Sequence, residues 1–235
     1  MVDLYINHGY DDYHEIKTFF SSNVDIKPKA VFTAAAQFSQ VLASKLAKLY
    51  DLQYPSEDLI QIILNKRQFY KFFSQHGLPI PPTSYYSCKK ELEIFLDNSP
   101  KEQRYYVKSD FSKNPKYVYF GTAKKLYKTQ MNWDADTYFR SCYIVQPEIL
   151  GPSLRINIIG TESEVYDFNS GLELLLLDQN VSKIVTQLRT FCETVGLVGW
   201  VVKFDVIDTL EEVTVATKCE SSLCKGCSVI LVFVG

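Results

Sequence analysis

Long apolar runs are missing from this 235-residue chain. No stretch approaches the roughly 18 consecutive apolar residues that a membrane-spanning helix needs. The tail Ser228–Gly235 is apolar but far too short to cross a bilayer. The N-terminus, MVDLYINHGYDDYHEI, has neither a basic start nor an apolar signal run, so a cytoplasmic location is expected. Excess basic charge is missing too. Lys and Arg number 25 against 27 Asp and Glu, giving a net charge of −2 and a pI near 6.0. Phosphate backbones need a basic surface, so nucleic acid is not an expected partner. Histidine occurs only at 8, 14 and 76, and the pair at 8 and 14 has metal-like spacing by chance. His8, beside Gly9, reads more simply as a surface side chain than as a catalytic one. No Gly-x-Ser-x-Gly elbow, P-loop or dinucleotide fingerprint occurs. Neither an internal repeat nor a low-complexity linker interrupts the chain. Six cysteines in a chain of this size do not make a secreted disulfide framework.

What remains is ordinary for a globular protein: 46% hydrophobic and 22% charged residues, in a chain long enough to bury a sizeable core. The 16 Tyr and 15 Phe say little about ligands, because aromatics usually fill cores. Ala30–Thr33 is β-prone. Residues 34–49 carry apolar side chains at helical spacing (Ala35, Phe38, Val41, Leu42, Leu46, Leu49), and Tyr54-Pro55-Ser56 breaks the pattern. Helices follow over 56–64 and 65–76, the second stopped by Gly77 with prolines at 79, 81 and 82. The chain then alternates. Strands are expected at 83–87, 104–108, 117–121, 143–149, 154–159 and 164–168, and helices at 89–97, 123–132 and 180–195. Residues 199–207 and 213–219 read as a hairpin, and 228–234 as a last strand near the end of the chain, which hints at a missing C-terminal portion. The pattern predicts an α+β fold with largely antiparallel strands.

Three segments carry chemistry. The first runs from Asn65-Lys66-Arg67-Gln68-Phe69 to Gly77-Leu78-Pro79-Ile80-Pro81-Pro82-Thr83. The second is Tyr105-Tyr106-Val107-Lys108-Ser109-Asp110, which places a lysine on a strand. A cation on a rigid element in a water-poor cleft stabilises phosphate strongly. The third is Tyr143-Ile144-Val145-Gln146-Pro147-Glu148-Ile149-Leu150-Gly151-Pro152-Ser153-Leu154-Arg155-Ile156-Asn157. In their order and intervals, across about residues 30–222, these segments resemble the ATP-grasp superfamily of carboxylate–amine ligases, in the form of its peptide-modifying amino-acid ligases. The third segment is similar to that family's central hairpin.

The resemblance implies an ATP-grasp fold of two α+β subdomains, 61–140 and 141–235, behind a partial pre-grasp segment, 1–60. It implies that Lys66 and Lys108 meet the phosphates of ATP, and that Gln146, Glu148 and Leu150 line the adenine pocket. Arg155 would hold the transferred group, since a guanidinium pairs with oxyanions. Asp205 and Glu220 would bind Mg²⁺, which offsets phosphate charge. The implied reaction is ligation of a small-molecule or peptide carboxylate to an amine through an acyl-phosphate.

The chain also departs from the family. The expected phosphate-covering loop, 111–116, has no glycine, although Lys113 and Lys116 add side-chain charge. Ser153 stands where the family has an acidic residue. Counted from Asp205, the family's Glu-x-Asn pair falls on Lys218 and Glu220, or on Thr217 and Cys219 in a tighter hairpin. These departures favour, as the alternative, an inactive nucleotide-binding or structural relic of the fold. A second alternative is a cysteine-metal protein. Cys219, Cys224 and Cys227 have the spacing of an iron–sulfur run, but the fourth ligand would have to come from Cys88, Cys142 or Cys192.

Overall fold

The computed structural model describes residues 13–22, 29–31, 39–110, 118–129, 142–197, 201–209 and 213–215. Helices α1 (Tyr13–Ser22), α2 (Ser39–Leu49), α3 (Glu57–Leu64) and α4 (Lys66–Gln75) precede the first described strand. Their ends follow from local chemistry. The Ser56 hydroxyl accepts from Leu59 N at 3.2 Å to cap α3, and Asn65 Oδ1 accepts from Gln68 N at 2.9 Å to cap α4. Gly77, at φ 72°, closes α4 as expected. Its N–H reaches Ser74 O, and the Leu78 N–H reaches Phe73 O, the paired bonds of a left-handed helix stop. Ala30 and Val31 lie outside any strand; the remainder of that expected strand and the strand at 228–234 lie outside the described residues.

Two four-stranded sheets follow. The first joins β1 (Ser84–Tyr86), β2 (Arg104–Ser109), β3 (Val118–Thr122) and β4 (Tyr143–Pro147) in the order β1-β4-β2-β3. The second joins β5 (Ser153–Ile159), β6 (Glu162–Asp167), β7 (Val201–Asp208) and β8 (Val213–Val215) in the order β6-β5-β7-β8. Every pairing among the described strands is antiparallel. The sequence-predicted pairing of 143–149 with 154–159 is corrected here. β4 already has β1 and β2 on its two edges, and β5 has β6 and β7, so neither has an edge for the other. The chain between them crosses from one sheet to the next.

Each sheet has its own apolar layer. Helices α5 (Lys89–Asn98) and α6 (Ala123–Thr129) cover one face of the first sheet, where Leu92, Leu96, Val107, Leu126 and Val145 pack. Helix α7 (Gln179–Thr194) covers one face of the second, joined by α3 and α4 in a larger cluster. There Phe73 of α4 meets Phe191 of α7 at 4.7 Å and Phe204 of β7 at 6.0 Å between ring centroids. Burying each such side chain contributes about 1.5–3 kcal/mol. Ile144 of β4 belongs to the same cluster, so the two sheets share one body of core. This packing leaves the opposite faces of both sheets to carry polar side chains.

Candidate functional site

Strand alternation builds the first half of the site. In β2, Tyr105 and Val107 point into the apolar layer, so Tyr106 and Lys108 take the other face. In β4, Ile144 lies opposite Lys108 and Gln146 opposite Tyr106. That register sets Lys108 and Gln146 diagonally on one face. Lys108 Nζ donates to Gln146 Oε1 at 2.8 Å, and both residues are only 3% exposed. A buried ammonium costs free energy unless it is partnered, and an amide oxygen partners it without cancelling its charge. Gln146 is itself held. Its Nε2 donates to Thr83 Oγ1 at 2.9 Å, and the Tyr70 hydroxyl of α4 donates to its Oε1 at 3.4 Å. Lys108 also lies 5.5 Å from the centroid of Tyr106, which stacks on Phe120 of β3 at 4.3 Å.

Lys66 opens α4, and its backbone N–H donates to Asp110 O at 3.1 Å, just beyond the end of β2. The start of the helix is thereby tied to the strand that bears Lys108. Glu148 follows β4. Its N–H donates to Arg104 O, and its carboxylate pairs with the Arg104 guanidinium at 3.3 Å. Leu150 is 76% exposed in the crossing segment. Gly151 passes so close to β7 that a Cβ there would sit 1.9 Å from Asp208 O. The Asp208 N–H donates to Pro152 O on the same side, clamping the crossing to the second sheet.

The polar face of the second sheet is built in rows. Arg155 lies opposite Tyr166 on one side and Asp205 on the other. Arg155 Nε donates to Asp205 Oδ1 at 3.0 Å, with the Arg155 side chain 40% exposed and that of Asp205 16%. The guanidinium also lies 4.8 Å from the ring of Phe168. In the next row Asn157 stands between Glu164 and Lys203. Glu164 Oε2 accepts from Asn157 Nδ2 at 3.2 Å and from the Tyr166 hydroxyl at 2.9 Å. That bond to a carboxylate, more than any burial, holds the Tyr166 phenol above its ordinary range.

The structure therefore divides the sequence-predicted residues. Lys66, Lys108, Gln146 and Glu148 gather at the first sheet, and Arg155 and Asp205 meet across the second. Glu220 lies outside the described residues, as do Lys113, Lys116, Cys219, Cys224 and Cys227. Among the described residues, no group of three or more His, Cys, Asp or Glu side chains converges as a metal site. Of the cysteines proposed as fourth ligand, Cys88 is exposed while Cys142 and Cys192 are buried. Burial pushes the Cys192 thiol up to about 12. Nothing among these residues supports the cysteine-metal reading. No described helix is long and apolar enough to cross a membrane.

Sequence reasoning missed four contributors. Tyr70 and Thr83 orient Gln146, Arg104 pairs with Glu148, and Glu164 holds Asn157 and Tyr166. Only the third had a local signal, since Arg104 starts the strand that bears Lys108. The others depend on which strands become neighbours.

No protein-family model and no curated protein matches the chain. Solved structures do match its shape. An ADP complex of N5-carboxyaminoimidazole ribonucleotide synthetase superposes with a TM-score of 0.67 at 10% identity, over 91% of this chain and 58% of that one. An L-amino acid ligase from Bacillus licheniformis gives 0.62 at 14% identity, over 88% and 52%. A D-alanine-D-alanine ligase from Helicobacter pylori gives 0.58 at 12% identity, over 75% and 60%. The chain thus spans about three-fifths or less of the length of these structures. At such identities the likeness establishes the fold, and that fold is ATP-grasp.

Proposed function

We propose that this chain binds ATP between the polar faces of its two sheets and acts as an ATP-dependent carboxylate–amine ligase. The single observation that carries the reading is Lys108: a buried cation on a rigid strand, partnered by a neutral amide, beside the crossing between two ATP-grasp sheets. A cation held on a strand and out of water attracts phosphate strongly. The two sheets are read as the grasp subdomains, 61–140 and 141–235, with 1–60 as a partial pre-grasp segment. Lys66 joins Lys108 at the phosphates, because the start of its helix is bonded to the end of β2. Gln146, Glu148 and the backbone to Leu150 form the adenine edge.

ATP is a substrate in this reading, and its terminal phosphoryl group passes to a carboxylate. An amine then attacks the acyl-phosphate carbonyl, phosphate leaves, and an amide bond forms. Arg155 faces the transferred group. It must loosen its bond to Asp205 to pair with an oxyanion, so the pair sets a cost on engaging phosphate. Mg²⁺ is assigned to Asp205 and Glu220, where it would offset phosphate charge. The described donors alone do not fit that ion. Arg155 already holds Asp205, and Glu173, the other described carboxylate in that row, lies two positions beyond Arg155, opposite Tyr166.

That last observation favours a second reading, a nucleotide-binding relic without turnover. Calorimetric titration with MgATP, followed by a phosphate-release assay with mixed amino acids and dipeptides, separates the two. Saturable binding that Lys108→Ala abolishes, together with amine-dependent phosphate release, is the expected result. Binding without turnover selects the relic. No binding by the native chain would sink the ligase and the nucleotide-binding relic alike, leaving a purely structural relic or a fragment of the fold.

A further inference from the structure

A second cleft lies away from the polar face of the second sheet. It is open to solvent and has a volume of about 590 Å³ between the outer stripe of α4 and the segment leading into β1. The α4 wall carries Arg67, Lys71 and Ser74, which helical spacing stacks on one side. The other wall is Pro81, Pro82 and Tyr85. No carboxylate lines the cleft, and neither Arg67 nor Lys71 has an acidic partner among the described residues. The Arg67 guanidinium lies 5.3 Å from the centroid of the Tyr85 ring. A stacked guanidinium keeps its edge N–H donors free for a planar oxyanion. The back of the cleft is braced: Tyr70 and Thr83, which line it, are both hydrogen-bonded to buried Gln146.

We propose that this cleft is a binding site for a small organic anion, distinct from the ATP site. Its carboxylate or phosphate is held by Arg67 and Lys71, and its flat apolar body lies against Pro81, Pro82 and Tyr85. Two cations with no acidic partner among the described residues supply the attraction, the proline and tyrosine wall supplies the apolar contact, and the hydrogen-bonded back wall limits the ordering cost of binding. The inference does not rest on the ligase reading, because no residue assigned to phosphate, Mg²⁺ or transfer lines the cleft.

The test uses the full chain with phenylacetate, phenyl phosphate and inorganic phosphate, followed by ligand-detected NMR. At least one aromatic anion is expected to bind with a Kd of about 1 mM or tighter, and inorganic phosphate more weakly. Arg67→Gln combined with Lys71→Gln should weaken binding at least about tenfold. Both side chains are exposed on α4, so the fold should survive; the thermal transition checks this. Preference for phenylacetate or for phenyl phosphate identifies the head group, and either supports the site. Saturating MgATP and Lys108→Ala should leave binding intact. The proposal is overturned by absence of binding for both aromatic probes or by affinity unchanged in the double variant. Competition with MgATP together with loss in Lys108→Ala would also overturn it, since the probe would then occupy the nucleotide site.

Discussion

On the first sheet the site's cation is buried and its acceptor is neutral; on the second the cation is half open and its partner is a carboxylate. Lys108 and Gln146 have left water together, and the ammonium donates to the amide oxygen. Arg155 and Asp205 keep contact with water and cancel each other. Coulomb attraction grows as the surroundings dry out, so an anion gains more from Lys108 than from Arg155. In the proposed reading Lys108 attracts phosphate from a dry site, whereas Arg155 must loosen its bond to Asp205 first. An ion pair can be present in a site and still contribute little to holding the ligand.

The sharpest way to break this contrast is to remove each cation in turn. Lys108→Ala should lower MgATP affinity by about a hundredfold or more, as expected for loss of a desolvated charge-assisted bond. Arg155→Ala should lower it by less than about fivefold, because this partly exposed guanidinium is already paired with Asp205 and screened by water. Calorimetry on both variants decides, and equal losses would contradict the contrast. Next in size is Gln146→Leu. It takes an acceptor from a buried ammonium and should lower unfolding free energy by about 1–3 kcal/mol in urea titrations. Circular dichroism at fixed pH is the readout.

The layers beneath the two faces can be compared through alkaline pH. Burial lifts the Cys192 thiol, under the second sheet, to about 12. The Cys142 thiol, beside the first, is also raised, chiefly by burial and then by Asp110. A raised thiol pKa means that the folded state keeps a proton which the unfolded chain releases above about 9. Stability is therefore full below pH 9 and falls as pH rises toward 12. Between pH 8 and 9.5 the Cys192 contribution should be under about 1 kcal/mol. Cys192→Ala should flatten the urea-midpoint profile more than Cys142→Ala. The smallest effect belongs to Asp205→Asn. The partly exposed pair should cost about 0.5 kcal/mol or less in a thermal melt, an effect that shrinks in high salt.

Much of the element list was legible because its signals are local. Gly77 and Gly196 end α4 and α7 with positive φ and the paired bonds of a helix stop. β2, β5 and β7 were visible as β-branched and aromatic runs, and the hairpin of β7 with β8 stands over 206–208 and 213–215. Lys108 and Gln146 were marked by motif, but their bond depends on β2 and β4 being neighbours in one register. The expected hairpin of the third segment failed for the same reason. Two adjacent strands in sequence look paired until the edges of each are counted, and here both were already occupied.

By itself the sequence determined where helices cap and stop, which strands alternate, and which lysines and arginines sit on strands. Those properties depend on backbone conformation and on side chains within a few residues. Tertiary structure alone decided that Tyr70 and Thr83 grip Gln146, that Arg155 faces Asp205 across 50 residues, and that α4 packs beneath the second sheet. Those contacts join distant parts of the chain. Their partners are set by sheet order and register, which follow from burying both apolar layers at once and not from any local pattern.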